Sequence, residues 1–82
     1  MVISGLAALA QETRLDVYRL LVAAGPSGLA AGTIATELGV PAATLSFHLK
    51  ELKSSGVVGC RREGRSLFYA PDFAHMQRLL DF

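Results

Sequence analysis

Five basic side chains crowd one short stretch of this chain. Lys50, Lys53, Arg61, Arg62 and Arg65 fall within residues 50–65, against only Glu51 and Glu63, a local charge of +3. The rest holds Arg14, Arg19 and Arg78 against five acids, so the whole chain carries only +1. Such asymmetry suits an anionic partner docking on one side; a merely solvated basic surface is the competing reading. The segment "ATLSFHLKEL", residues 43–52, adds an odd aromatic. Helical spacing puts Leu45, Leu49 and Leu52 on one face and Phe47 on the opposite face, with Ala43, Lys50 and Ser54. A phenylalanine set among small and polar neighbours can press against thymine methyl groups in a DNA major groove. Thr44 and Ser46 can donate to phosphates or base edges, and Lys50 and Lys53 follow one and two turns on, where a backbone would pass. Otherwise Phe47 packs under a neighbouring hairpin or at a subunit contact.

The elements that must hold these residues can be read from period and punctuation. Residues 2–10, "VISGLAALA", have helical spacing, with Val2, Ile3, Leu6 and Leu9 toward one side. A second helix follows in "ETRLDVYRLLVAAG", with Leu15, Tyr18, Leu21 and Val22 on the helical period and Gly25-Pro26 as its stop. "SGL" reads as a turn. "AAGTIATELG" reads as a short helix with Ile34, Ala35 and Leu38 inward. Pro41 opens the next helix, which runs to Ser55 and stops at Gly56. "VVGCR" and "SLFYA" read as strands joined by "REGR". "DFAHMQRLLDF" is an amphipathic helix capped by Asp72, with Phe73, Met76, Leu79 and Leu80 on its apolar side. The expected fold is mainly α with a β-hairpin: four helices, the hairpin, then a fifth helix.

Two short helices separated by "GVP" make a helix-turn-helix. The leucines of the second seat it on the first, which frees the Phe47 face for a groove. A basic hairpin directly afterwards is the wing of a winged helix. Arg61, Arg62 and Arg65 around Gly64 would grip phosphates or enter the minor groove.

The whole of residues 1–82 reads as one domain. Its 51% hydrophobic content is high for so small an interior, so apolar surface is expected to go into a partner, most simply a second copy. No run approaches the roughly 20 apolar residues of a membrane helix. A single cysteine, Cys60, and no signal peptide favour a reducing cytoplasm. Paired catalytic carboxylates, a cysteine–histidine nucleophile pattern and a phosphate-cradling glycine loop are all missing, so no enzyme and no resident cofactor is expected.

Three segments, "ALAQETRLDVYRLLVAAG", "IATELGVPAATLSFHLKELKSSGVV" and "RREGRSLFYA", resemble in order those of the ArsR family of winged-helix repressors. The resemblance runs from about Leu6 to Tyr69 and is carried by Thr13-Arg14-Leu15, by "HLKEL" and by the "REGR" wing. It implies a homodimer joined through the first and last helices, which represses operons for metal or metalloid resistance and releases DNA when the inducer binds. The chain departs from the family in Pro41, Ala42 and Ala43, where a capping serine or threonine is common. The tasks of Thr44, Ser46 and Phe47 grow accordingly.

Ligands for an inducer are sparse. The resemblance places Ala30 and Gly32 where one common family site has a cysteine pair. Asp72 and His75 match part of a second site on the last helix, but its further histidine is missing. No metal site is therefore assigned. Within the family the closest likeness is to the arsenite-sensing branch, and cysteines for As(III) would have to lie beyond Phe82. Cys60 reads as a half-buried small hydrophobe or a thiol switch, His48 as a hydrogen-bonded packing residue, and His75 as solvated. Two other functions stay open: a winged-helix protein-interaction module without DNA binding, and a thiol-redox-responsive repressor acting through Cys60.

Overall fold

A computed structural model describes residues 11–81. Helix α1, Glu12–Ala24, begins with an acid in its first turn, where the helix dipole favours negative charge. It ends at Gly25, whose N–H donates to the carbonyls of Leu21 and Val22. Its inward face is Arg14, Val17 and Leu21. That is a stripe at i, i+3 and i+7, rotated from the expected Leu15–Tyr18–Leu21–Val22 face. Val22 is exposed and Arg14 is buried.

Strand β1, Leu29–Ala30, pairs antiparallel with a later strand, Leu29 opposite Tyr69 and Ala30 opposite Phe68. Sequence reading took this stretch for a turn leading into a helix. Two residues are too short for strand periodicity to register, so only the tertiary partner reveals them. Gly28 makes the pairing feasible. It has φ +78, and a Cβ there would stand 2.5 Å from the Tyr69 carbonyl oxygen.

Helix α2, Ala31–Leu38, buries Ile34 and stops at Gly39. Helix α3, Ala42–Ser54, starts directly after Pro41 and buries Leu45, His48, Leu49 and Leu52. Strands β2, Val58–Glu63, and β3, Ser66–Pro71, form a hairpin in register from Val58–Pro71 to Glu63–Ser66. Its turn is therefore only Gly64-Arg65, tighter than the four-residue "REGR" expected. The sheet order is β1-β3-β2. Helix α4, Phe73–Asp81, is entered through Asp72, whose Oδ1 accepts the His75 N–H at 2.9 Å. That bond is an N-cap.

The described residues thus hold four helices and a three-stranded sheet; the helix expected over residues 2–10 lies outside them. Val17, Leu21, Ile34, Leu45, Leu49, Leu52, Val57, Val58 and Leu79 form the core. The three leucines of α3 are all essentially buried. Each contributes about 1.5–3 kcal/mol of hydrophobic stabilisation. That burial fixes α3 in rotation about its own axis, and so decides which side chains it turns outward.

Candidate nucleic-acid interface

With its leucines committed inward, α3 leaves Thr44, Ser46, Phe47, Lys50 and Lys53 exposed. Phe47 keeps 56% of its surface in solvent. The ring is held from behind all the same. The Arg14 guanidinium carbon lies 5.4 Å from its centroid, within cation–π range. The neighbouring His48 ring meets it edge-on, with centroids 5.8 Å apart and planes at 62°. Arg14 Nε in turn donates to His48 Nδ1 at 3.0 Å. His48 is a buried, hydrogen-bonded residue, as its place on the flank of the leucine face suggested.

Three residues, 55–57, connect α3 to the hairpin. The Asp72 N–H donates to the Val57 carbonyl at 2.9 Å and pins the start of α4 to that connection. On β2, Arg61 Nε donates to Glu63 Oε2 at 2.6 Å, and its guanidinium carbon lies 5.2 Å from the centroid of Phe68, its cross-strand partner. Both members of the ion pair are about half exposed, so solvent screens it. Among the described residues it is the one ion pair, so Arg62 and the turn residue Arg65, both exposed, keep their charge unneutralised. The basic stretch is thus divided: α3 carries Lys50 and Lys53, the hairpin end carries Arg62 and Arg65, and Arg61 is partly spent on Glu63.

Of the residues expected at a subunit contact, Val2, Ile3, Leu6 and Leu9 lie outside the described residues. On α4, Leu79 faces the subunit core and Met76 packs half-buried against it. Phe73 and Leu80 are 48% and 69% exposed.

Cys60 is half-buried on β2, in register with Tyr69. Burial, then the neighbouring Cys60, pushes the Tyr69 hydroxyl above its ordinary pKa of 10.0. Burial, then the charge of Asp72, does the same to Tyr18. No group of three or more histidine, cysteine, aspartate or glutamate residues capable of holding a metal occurs among the described residues. Asp72 and His75 do meet, but through the helix cap rather than through two ligand atoms. The His75 ring is only half solvated, where the sequence reading placed it in water: its Nδ1 lies 3.4 Å from Arg78 Nη2 at the surface, while the opposite edge turns inward. It lies over Gly56, where an added Cβ would stand 2.9 Å from ring Cε1 and Nε2, and its Nε2 is buried without a hydrogen-bond partner. A glycine in the loop before β2 admits a ring that helical periodicity alone would place in water.

Sequence reading missed Arg14 as part of this site. The available signal was its position three residues before Val17 and seven before Leu21, on the buried stripe of α1.

A helix pair whose second member turns a polar and aromatic face outward, followed by a basic hairpin, defines a winged helix-turn-helix. The family described as helix-turn-helix domain matches residues 9–61. The chain is 31% identical over 74 residues to a cadmium resistance transcriptional regulatory protein CadC homolog of Staphylococcus aureus. That match takes in 90% of this chain and 60% of the relative's length. An ArsR-like transcriptional regulator from Rhodococcus sp. RHA1 superposes with TM-score 0.86 at 29% identity, covering 98% of this chain and 73% of that one. A homodimeric winged helix-turn-helix DNA-binding domain from Mycobacterium bovis, described as a possible ArsR-family transcriptional regulator, superposes with TM-score 0.79 at 37% identity. Coverage there is 98% of this chain and 78% of that one. The chain belongs to the ArsR-type winged helix-turn-helix family.

Proposed function

We propose that this protein is a sequence-specific DNA-binding transcriptional repressor that works as a homodimer. The observation that carries the reading is the outward face of α3. Phe47 and Lys50 are exposed opposite three buried leucines, and Lys53 is exposed on the flank beside them. An exposed aromatic beside hydroxyls and lysines suits base-edge and phosphate contact in a major groove. Arg62 and Arg65 supply further phosphate contacts from the wing. Support for the dimer comes from the homodimeric M. bovis domain and from Phe73 and Leu80, large apolar side chains left in solvent on α4. Two such heads in a symmetric pair fit an inverted repeat with half-sites roughly one helical turn apart. No described helix is long and apolar enough to cross a membrane, and the site of action we infer is the cytoplasm.

For the signal we infer a metal or metalloid inducer, in keeping with the cadmium-resistance name of the S. aureus relative. Arsenite remains the specific candidate that the family resemblance favours, although these 82 residues hold only one thiol, Cys60, for it. A thiol-responsive mode through Cys60 is the second reading, supported by the half-exposed position of that thiol on the wing strand.

Fluorescence anisotropy with a duplex selected from a random pool tests the first claim. Specific binding at moderate salt, with two protomers per duplex, is expected; equal affinity for every duplex, or none at low salt, sinks it. Titrating the complex with arsenite, zinc and peroxide then separates the signals. Release by arsenite or zinc supports the inducer reading, and release by peroxide, abolished in Cys60→Ser, supports the second.

A further inference from the structure

Arg14 belongs to α1, a helix with no evident part in reading DNA, yet its guanidinium reaches the recognition helix. It is 7% exposed. Burying a charge normally demands a carboxylate partner. Among the described residues no carboxylate pairs with Arg14. What surrounds it instead is the Nδ1 lone pair of buried His48 at 3.0 Å and the face of Phe47 at 5.4 Å. Both partners sit on α3, in adjacent positions that turn to different sides. One is sealed in the subunit, and the other is the large aromatic on the outward face.

We propose that Arg14 is a positioning residue for recognition: it sets the orientation in which α3 presents Phe47, and through that ring governs discrimination between DNA sequences. This rests on the functional reading above. The chemistry explains why the residue is arginine. A planar guanidinium can donate in its own plane through Nε while offering its flat face to an aromatic ring. A lysine ammonium has no flat face and no Nε along its stem, so it cannot reproduce this planar arrangement of the two contacts. Arginine only donates, so His48 Nδ1 must accept and its ring proton must sit on Nε2. His48 is thereby held in one tautomer, edge-on to Phe47 at 5.8 Å. The three groups make a brace from α1 to the reading face, and an exposed ring otherwise free to change rotamer is kept in one.

The test compares the wild-type protein with Arg14→Lys, which keeps the charge and loses the fork. Thermal melts identify whether each is folded, and His48→Gln provides a second way to break the brace should Arg14→Lys unfold. Affinities are measured for the selected duplex and for a scrambled one of the same length. A fall of about tenfold in their ratio is expected, with scrambled-duplex affinity within about twofold of wild type, on the scale of one lost base contact. An unchanged ratio in a folded variant, or an equal loss on both duplexes, overturns the proposal. Nuclear Overhauser contacts between the Phe47 and His48 rings, recorded without DNA, give a readout that a general loss of stability does not mimic. Arg14→Lys should abolish them, and their persistence overturns the brace. If wild type binds no duplex at all, the repressor reading fails and the ring contacts alone still decide whether Arg14 holds Phe47.

Discussion

Arg14 Nε and His48 Nδ1 lie 3.0 Å apart across 34 residues of sequence, a buried hydrogen bond joining α1 to α3. Removing the acceptor strands a charged donor in the interior. We expect His48→Ala to destabilise the fold by about 1–3 kcal/mol, the cost of a buried group left unsatisfied. Urea unfolding measures it. A change within a few tenths would mean that water replaces the lost partner.

Phe47 makes the opposite case, because its ring is largely in solvent. Phe47→Ala should cost only about 0.5–1 kcal/mol in urea unfolding, the loss of the Arg14 contact, while relaxing base preference at one or two positions of each half-site. Selection of duplexes by wild type and variant shows this directly. Identical selected sequences would remove Phe47 from the groove.

Ionic strength separates the wing arginines. Arg65 has no acidic partner among the described residues, so Arg65→Ala should weaken all duplexes about equally and reduce the magnitude of the salt slope by about one per protomer. Arg61 is tied to Glu63. Glu63→Gln should therefore tighten binding, since it frees Arg61 and removes a negative charge near phosphate. Weaker binding by Glu63→Gln would show that the pair orders the wing rather than masks it.

Gly28 is expected to tolerate no side chain. An alanine there would be strained by φ +78 and would meet the Tyr69 carbonyl at 2.5 Å. Gly28→Ala should cost on the order of 1–3 kcal/mol and loosen the β1–β3 pairing. Faster amide exchange at Ala30 and Tyr69 is the signature to look for.

Alkaline pH offers a further check. Burial raises the pKa of both Tyr18 and Tyr69 above 10.0. The folded protein then holds these protons more tightly than the unfolded chain does. The contribution to stability is whole below pH 10 and is lost as pH rises through the folded pKa values. Unfolding midpoints should fall more steeply above pH 10 in wild type than in Tyr69→Phe. Parallel curves would assign the loss to other groups.

Much of this architecture was legible because the helix-turn-helix is written in large letters. Leu45, Leu49 and Leu52 recur at helical spacing, Gly39 and Pro41 punctuate the two helices, and Phe47 stands out on the wrong side. The hairpin was visible in the valines, Phe68 and Tyr69 on either side of Gly64, although β2 starts one residue later and ends two residues later than expected. Elsewhere the information lay in tertiary partners. Leu29–Ala30 is a strand only because β3 runs beside it. Arg14 is buried where His48 offers a lone pair, and one edge of His75 turns inward where Gly56 has no side chain. Pattern reading assigns polarity to each residue singly, and these three placements depend on pairs.

The sheet is three strands wide only at its base, where β1 lies against Phe68 and Tyr69. Beyond that level Arg62–Leu67 and Glu63–Ser66 are the work of two strands alone. An unsupported two-stranded ribbon is marginal in water. Stiffness therefore drops abruptly along the finger, with Phe68 at the step. The far end, carrying Arg62 and Arg65, can bend to follow the local width of a duplex while the clamped root leaves the leucine-packed interior undisturbed.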